Sequence, residues 1–131
     1  MSQSSPSHES APGIRFFVDA LGVVRTTFSG TVGYTQMVLH LQAREAAGVL
    51  GLPQVIDARE AKLELSAAEV KAFAALIREF RERTPMGPTA VVAPADLDYG
   101  IARMYAGFDD SERFAVFRSM GEAEGWVRGL K

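Results

Sequence analysis

The side chains best able to do chemistry fall in two short segments. Asp57 and Arg59 lie in "VIDARE", and Asp96, Asp98, Tyr99 and Arg103 lie in "ADLDYGIARMYAGFDD". Each segment begins at the end of an apolar run, "QVIDA" at 54–58 and "TAVVA" at 89–93. In open α/β sheets, ligands gather at the carboxyl ends of the strands. Asp57, Arg59, Asp96, Asp98, Tyr99 and Arg103 are therefore the candidate ligand- or partner-binding residues. They converge if the two strands are neighbours. Asp57 with Asp96 is the only carboxylate pair so placed, the minimum for acid–base work. Arg103 follows Tyr99 by one helical turn, within reach to stack on its ring.

Little else supports catalysis. The chain has no cysteine, which excludes a disulfide frame, a thiolate nucleophile and a Cys-type zinc site. Its two histidines, His8 and His40, are far apart and form no ligand cluster. His40 falls in the middle of a helix, where partial exposure is expected. No serine sits in a nucleophile elbow with a base and an orienting group. "LDYG" offers a phosphate one glycine and two repelling acids. The expectation is a non-enzyme with no metal and no cofactor. A net charge of −2 gives no basic field for nucleic acid. No apolar run approaches the ~20 residues of a membrane span, and the start lacks the apolar core of a secretory signal. A cytoplasmic location follows as an expectation.

These residues must be positioned by elements that the hydrophobic pattern outlines. The segment "MSQSSPSHESAPG" (1–13) reads as a disordered tail, and 14–131 as a single domain. Runs at 14–18 and 23–30 flank "DALG" as an antiparallel hairpin, with Val24, Thr26 and Phe28 on one face. A helix over 34–47 follows, with Tyr34, Met37, Val38 and Leu41 at helical spacing. After the strand at 54–58, "SAAE" (66–69) has the form of a capping box opening a helix over 67–83. "TAVVA" lacks alternation, as a strand buried on both faces does. A helix over 98–108 would be capped by Asp96 or Asp98 and bury Ile101, Met104, Tyr105 and Phe108. Gly100 and Gly107 would then admit another part of the chain. A strand at 113–118 and a helix at 121–130 close the order ββαβαβαβα. This is an α/β fold: a mostly parallel five-stranded sheet with an antiparallel N-terminal edge hairpin and four packed helices.

The ββα opening, "VIDARE", "TAVV", "YGIARMYAGF" and "RFAVFRSMGEAEGWV" together resemble the STAS-like proteins over residues 14–129. In particular they resemble the anti-sigma-factor-antagonist-like (SpoIIAA-like) group of small bacterial proteins of mostly unassigned function. The resemblance implies a regulatory or protein-interaction module without catalysis, acting on a regulatory protein partner. Its antagonists are switched by phosphorylation in an Asp-Ser-Ser-Gly-like segment. Here that place reads Asp57-Ala58-Arg59-Glu60, without a serine. Ser66 is the nearest candidate phosphorylation site and is better suited to capping. Related lipid-binding folds imply an alternative, a small apolar ligand or lipid beneath the first and third helices. Met37, Met104, Tyr105 and Phe108 would be its liners. An uncharacterised enzyme is the least favoured reading, and a homodimer is compatible with all of them.

Overall fold

Alternation along the strands decides which side chains turn inward, and the computed structural model of the chain, which describes residues 6–109 and 112–129, follows it closely. The strands are β1 (His8–Ala11), β2 (Ile14–Val18), β3 (Val24–Gly33), β4 (Gln54–Glu64), β5 (Thr89–Val92) and β6 (Phe114–Phe117). The helices are α1 (Tyr34–Ala46), α2 (Ala67–Arg83), α3 (Asp96–Asp109) and α4 (Met120–Gly129). The strands form one sheet in the order β1-β2-β3-β4-β5-β6. The first three pair antiparallel and the last four parallel. Val24, Thr26 and Phe28 are all buried, as their spacing predicts.

Helices cover both faces of the sheet. Ile56 and Val91 face α1, α2 and α3, where Leu41, Phe73 and Ile77 extend the core. Val55, Ala90 and Val92 face Ala123 and Val127 of α4. The "TAVV" strand is thus buried on both sides. Arg25 of β3 reaches across to Glu124 of α4, with Asp19 on its other side, which ties the last helix to the early sheet. Among the described residues, no helix is long and apolar enough to cross a membrane.

Three departures from the sequence reading matter for the site. First, His8–Ala11 lies in the segment expected to be a tail, yet it pairs with β2 as a sixth strand. Ala11 is buried and Ser10 bonds the ring of His40, so this short stretch has its own anchors. Residues 1–5 of that segment lie outside the described residues.

Second, β3 and β4 run on well past the expected ends at 30 and 58, as far as Gly33↔Glu64. A register shift between Thr27 and Ser29 marks the join. Beyond it Val32 and Leu63 continue the apolar alternation and are buried, which holds the extension against the core.

Third, α3 keeps only part of the expected inward face: Ile101 and Tyr105 pack against the core as their spacing predicts, but the buried face is shifted. Asp98, Ala102 and Asp109 are its buried residues, while Met104 is exposed. Two inward acids disguised the buried stripe, and both are satisfied by hydrogen bonds. Among the described residues, nothing in the chain closes on Gly100 or Gly107: a Cβ at either would meet none of their atoms within 4 Å.

Candidate functional site

The carboxyl ends of the strands hold two separate clusters. On β4, Arg59 clasps Asp57 with Nε and Nη2, each 2.9 Å from a carboxylate oxygen. The hydrogen bonds from Arg59 hold Asp57 below the usual carboxylate range, against the opposing effect of burial. Asp57 is also where β4 loses its β5 neighbour, opposite Val92. Asp98 does structural duty there: its Oδ1 accepts the Leu63 N–H at 2.8 Å, occupying the edge that β5 no longer covers.

The second cluster is organised by a residue the sequence reading did not single out. Arg118, just past β6, donates to Asp96 Oδ1 at 2.8 Å and to the Pro94 carbonyl at 2.9 Å. Its guanidinium also lies 4.2 Å from the centre of the Tyr99 ring. Tyr99 is thus stacked on Arg118 and not on Arg103, which is exposed. Among the described residues, Arg103 has no hydrogen bond or ion pair, and none joins the Asp57–Arg59 pair to Asp96, Tyr99 or Arg103. Ser66 caps α2 as the box predicts, accepting from the Glu69 amide at 3.1 Å while Glu69 accepts from the Ser66 amide at 2.9 Å.

A cavity opens elsewhere, beneath α1, α2 and α3, with about 100 Å³ of free space. A buried water needs only about 10–15 Å³ measured this way, so the space exceeds one water's needs. Phe28, Leu41, Ile56, Phe73, Ile77 and Met86 give it apolar walls. Of the four expected liners, Met37 and Tyr105 border it, whereas Met104 and Phe108 do not. Its polar lining concentrates where the last turns of α1, α2 and α3 meet the starts of β4 and β5. Arg44, Arg81 and Asp109 come from the helices, Gln54 and Thr89 from the strands. This is the amino end of the parallel strands, opposite to the end that strand-end reasoning favours.

Most of these polar groups are satisfied. Arg81 pairs with both oxygens of Asp109, at 2.9 and 3.1 Å, and the Tyr105 hydroxyl donates to Asp109 at 2.6 Å. Burial, the bond to Asp109 and its negative charge keep the Tyr105 phenol protonated far above its ordinary range. Gln54 Oε1 accepts from the Thr26 hydroxyl at 2.7 Å and lies 2.8 Å from His40 Nε2. An amide oxygen only accepts, so Nε2 carries the ring proton. Nδ1 of His40 then accepts from the Ser10 hydroxyl at 2.9 Å.

His40 is therefore fully enclosed, at 5 % exposure, contrary to the partial exposure expected of it. Burial depresses its pKa to about 4; the Gln54 bond opposes this and the nearby Arg44 charge adds to it. Burial likewise lowers Arg44, to about 10, which leaves it cationic at neutral pH. Arg44 is 3 % exposed, and its Nε and Nη2 have no hydrogen-bond partner.

The signal for these two residues was present in the sequence. The spacing Met37, Leu41 continues to Arg44, and His40 shares that face. An apolar-only reading of the stripe passed over both. Ser10 gave no such signal from within a serine-rich segment. Among the described residues, no three His, Cys, Asp or Glu side chains gather to hold a metal ion.

Comparison with known proteins bears on the fold alone. No family model matches the chain, and no curated protein matches it. Solved structures do match, among them the following two. One is an uncharacterised protein of the DUF3478 family with a SpoIIAA-like fold from Shewanella loihica PV-4. It has a TM-score of 0.50 and 18% identity, over 97% of this chain and 95% of that one. The other is the anti-sigma factor antagonist SpoIIAA in its unphosphorylated form. It has a TM-score of 0.50 and 12% identity, over 99% and 100% of the two chains. The chain has a SpoIIAA-like, STAS-like fold.

Proposed function

We propose that this chain is a non-catalytic regulatory module that works by binding another protein, through the outer face of α3 and the strand ends beside it. The observation that carries the reading is the composition of that face. Leu97 is 64 % exposed and Met104 is exposed two turns further along, next to the unpaired Arg103, and Gly100 and Gly107 add no side chain there. Glycine costs a helix about 1 kcal/mol relative to alanine, and the chain's own packing gains nothing from either. The Asp96–Arg118–Tyr99 stack and the Asp57–Arg59 pair supply polar groups for the rim of such a contact.

SpoIIAA, which shares the fold, bears in its description a role exerted towards another protein, that of an anti-sigma factor antagonist. A phosphate on Ser66 would suit the positive end of α2. It would also displace the capping box and face the Glu69 carboxylate, so we place the recognition on α3 rather than on a phosphorylated Ser66.

The test is affinity capture from extract of the source organism, comparing the native chain with a Leu97→Glu/Met104→Glu variant. A partner retained by the first and lost by the second supports the reading. A partner held equally by both, or turnover of a substrate by the purified protein, sinks it. The cavity beneath α1–α3 favours a second reading, a module that takes a small ligand with an apolar part.

A further inference from the structure

The sheet ends in two edges, and they are built differently. An edge strand shows a row of unpaired N–H and C=O groups, which proteins blunt with charge, proline or a bulge. β1 has all three: the exposed Glu9, a bulge between Glu9 and Ala11, and Pro12 directly after it. β6 has none of them. Phe114–Phe117 reads FAVF, pairs with β5 without a register shift, and has no described strand beyond it. Every residue of β6 keeps partial exposure, whereas Ala90, Val91 and Val92 of β5 are buried. The Thr89 N–H donates to the Arg113 carbonyl at 2.8 Å, and the Ala93 N–H to the Phe117 carbonyl at 2.9 Å. Alternate residues of a strand bond to opposite sides, so Arg113, Ala115 and Phe117 serve β5. Phe114 and Val116 therefore turn both N–H and C=O to the open side, where no described residue pairs with them.

We infer that β6 pairs antiparallel with β6 of a second copy of this chain, about a dyad at Ala115, joining the two sheets into one. The occupant and the register both come from the residues of β6 and its flanks. An antiparallel pair exchanges bonds between residues that both face the gap. With Phe114 opposite Val116 of the other copy, every outward group of both residues is matched; a slip of two residues leaves one such pair within β6 in place of two. The same register sets Glu112 opposite Arg118 of the other copy, and symmetry repeats the pair at the other end. Both side chains are exposed, and Glu112 has no ion pair among the described residues. The strand thus carries the charges that its own reversed copy requires, which a foreign peptide would have to supply. At the dyad, Ala115 meets Ala115 of the other copy in a non-hydrogen-bonded pair, where side chains come closest and a small one fits. So short a strand makes the dimer a reversible one.

The experiment follows the mass of the full chain by sedimentation velocity over a dilution series from submillimolar to micromolar. Expected is a reversible monomer–dimer equilibrium. Glu112→Arg and Arg118→Glu, each alone, turn both attractions into repulsions and should weaken dimerisation about tenfold. An equimolar mixture of the two variants should restore it as a heterodimer, which a merely damaged fold would not do. Val116→Pro deletes an outward N–H and no bond to β5, and should leave a monomer. Should that variant fail to fold, the mixing experiment still decides. A native chain that stays monomeric at every concentration overturns the inference. So does a dimer indifferent to both charge reversals, or one that mixing does not restore. Partner binding by α3 is separate from this edge and is decided by the capture experiment alone.

Discussion

At the scale of single residues, the interior of α1 carries two groups whose protonation sets measurable behaviour. His40 has a folded pKa near 4, against about 6.5 when exposed. Between those values the unfolded chain binds more protons than the folded one. Stability is therefore complete above about pH 6.5 and declines as pH falls towards 4. From pH 7 to pH 5 the native protein should lose about 2 kcal/mol more than His40→Gln, read as urea-unfolding free energies at the two pH values. Parallel losses in the two proteins would remove His40 as the source. Arg44→Met should raise the melting temperature of the ligand-free protein, because an apolar chain of similar length replaces an unpaired buried cation. A structural arginine would respond in the opposite direction in calorimetry. Both residues stand at helical spacing from Met37 and Leu41. What hid them is that hydrophobic periodicity scores polar side chains as outward, and an inward polar group becomes legible only once its partners are placed. For His40 those partners come from β1 and β4, remote in sequence.

At the scale of elements, the strong local signals translated directly. The capping box at Ser66 and the five-residue stripe Val70, Phe73, Ala74, Ile77 and Phe80 fixed α2 as expected. Ser66→Ala should cost about 1 kcal/mol in chemical denaturation, with no change in spectroscopic helix content beyond the first turn. β1 was not legible because four residues containing a histidine, a glutamate and a serine have no strand propensity. Their pairing with β2 and the Ser10–His40 bond supply the order instead. Removing residues 1–11 should leave His40 Nδ1 without its donor and cost about 1–3 kcal/mol, measured by the same denaturation. On α3, Ile101 and Tyr105 pack inward as expected, but Met104 lies outside and Asp98 and Asp109 occupy positions that a core stripe normally gives to apolar residues. Its outer glycines give a separate check. Gly100→Ala and Gly107→Ala should each stabilise the chain by about 0.5–1 kcal/mol, because the added methyl groups meet nothing. The same pair should weaken capture of a partner that lies flat on that face.

For the whole molecule, the α/β class and the mixed sheet were readable from the alternation of short strands with amphipathic helices. The polar end of the cavity was not. It is assembled from the ends of α1, α2 and α3 and the beginnings of β4 and β5, none of which announces the others in sequence. Strand-end reasoning directed attention to the opposite rim, where the acids are conspicuous but are taken up by Arg59, Arg118 and the Leu63 amide.

The simple strand order has a temporal meaning. Each strand pairs with the one made just before it, so the sheet can be laid down in the order of synthesis, and no strand must later be wedged between two already joined. The last helix returns over β4 and β5, and Arg25 of β3 meets it through Glu124. Until the chain beyond Met120 is in place, the Val55–Ala90–Val92 face lacks the cover that Ala123 and Val127 supply, so this apolar surface is the last to be closed.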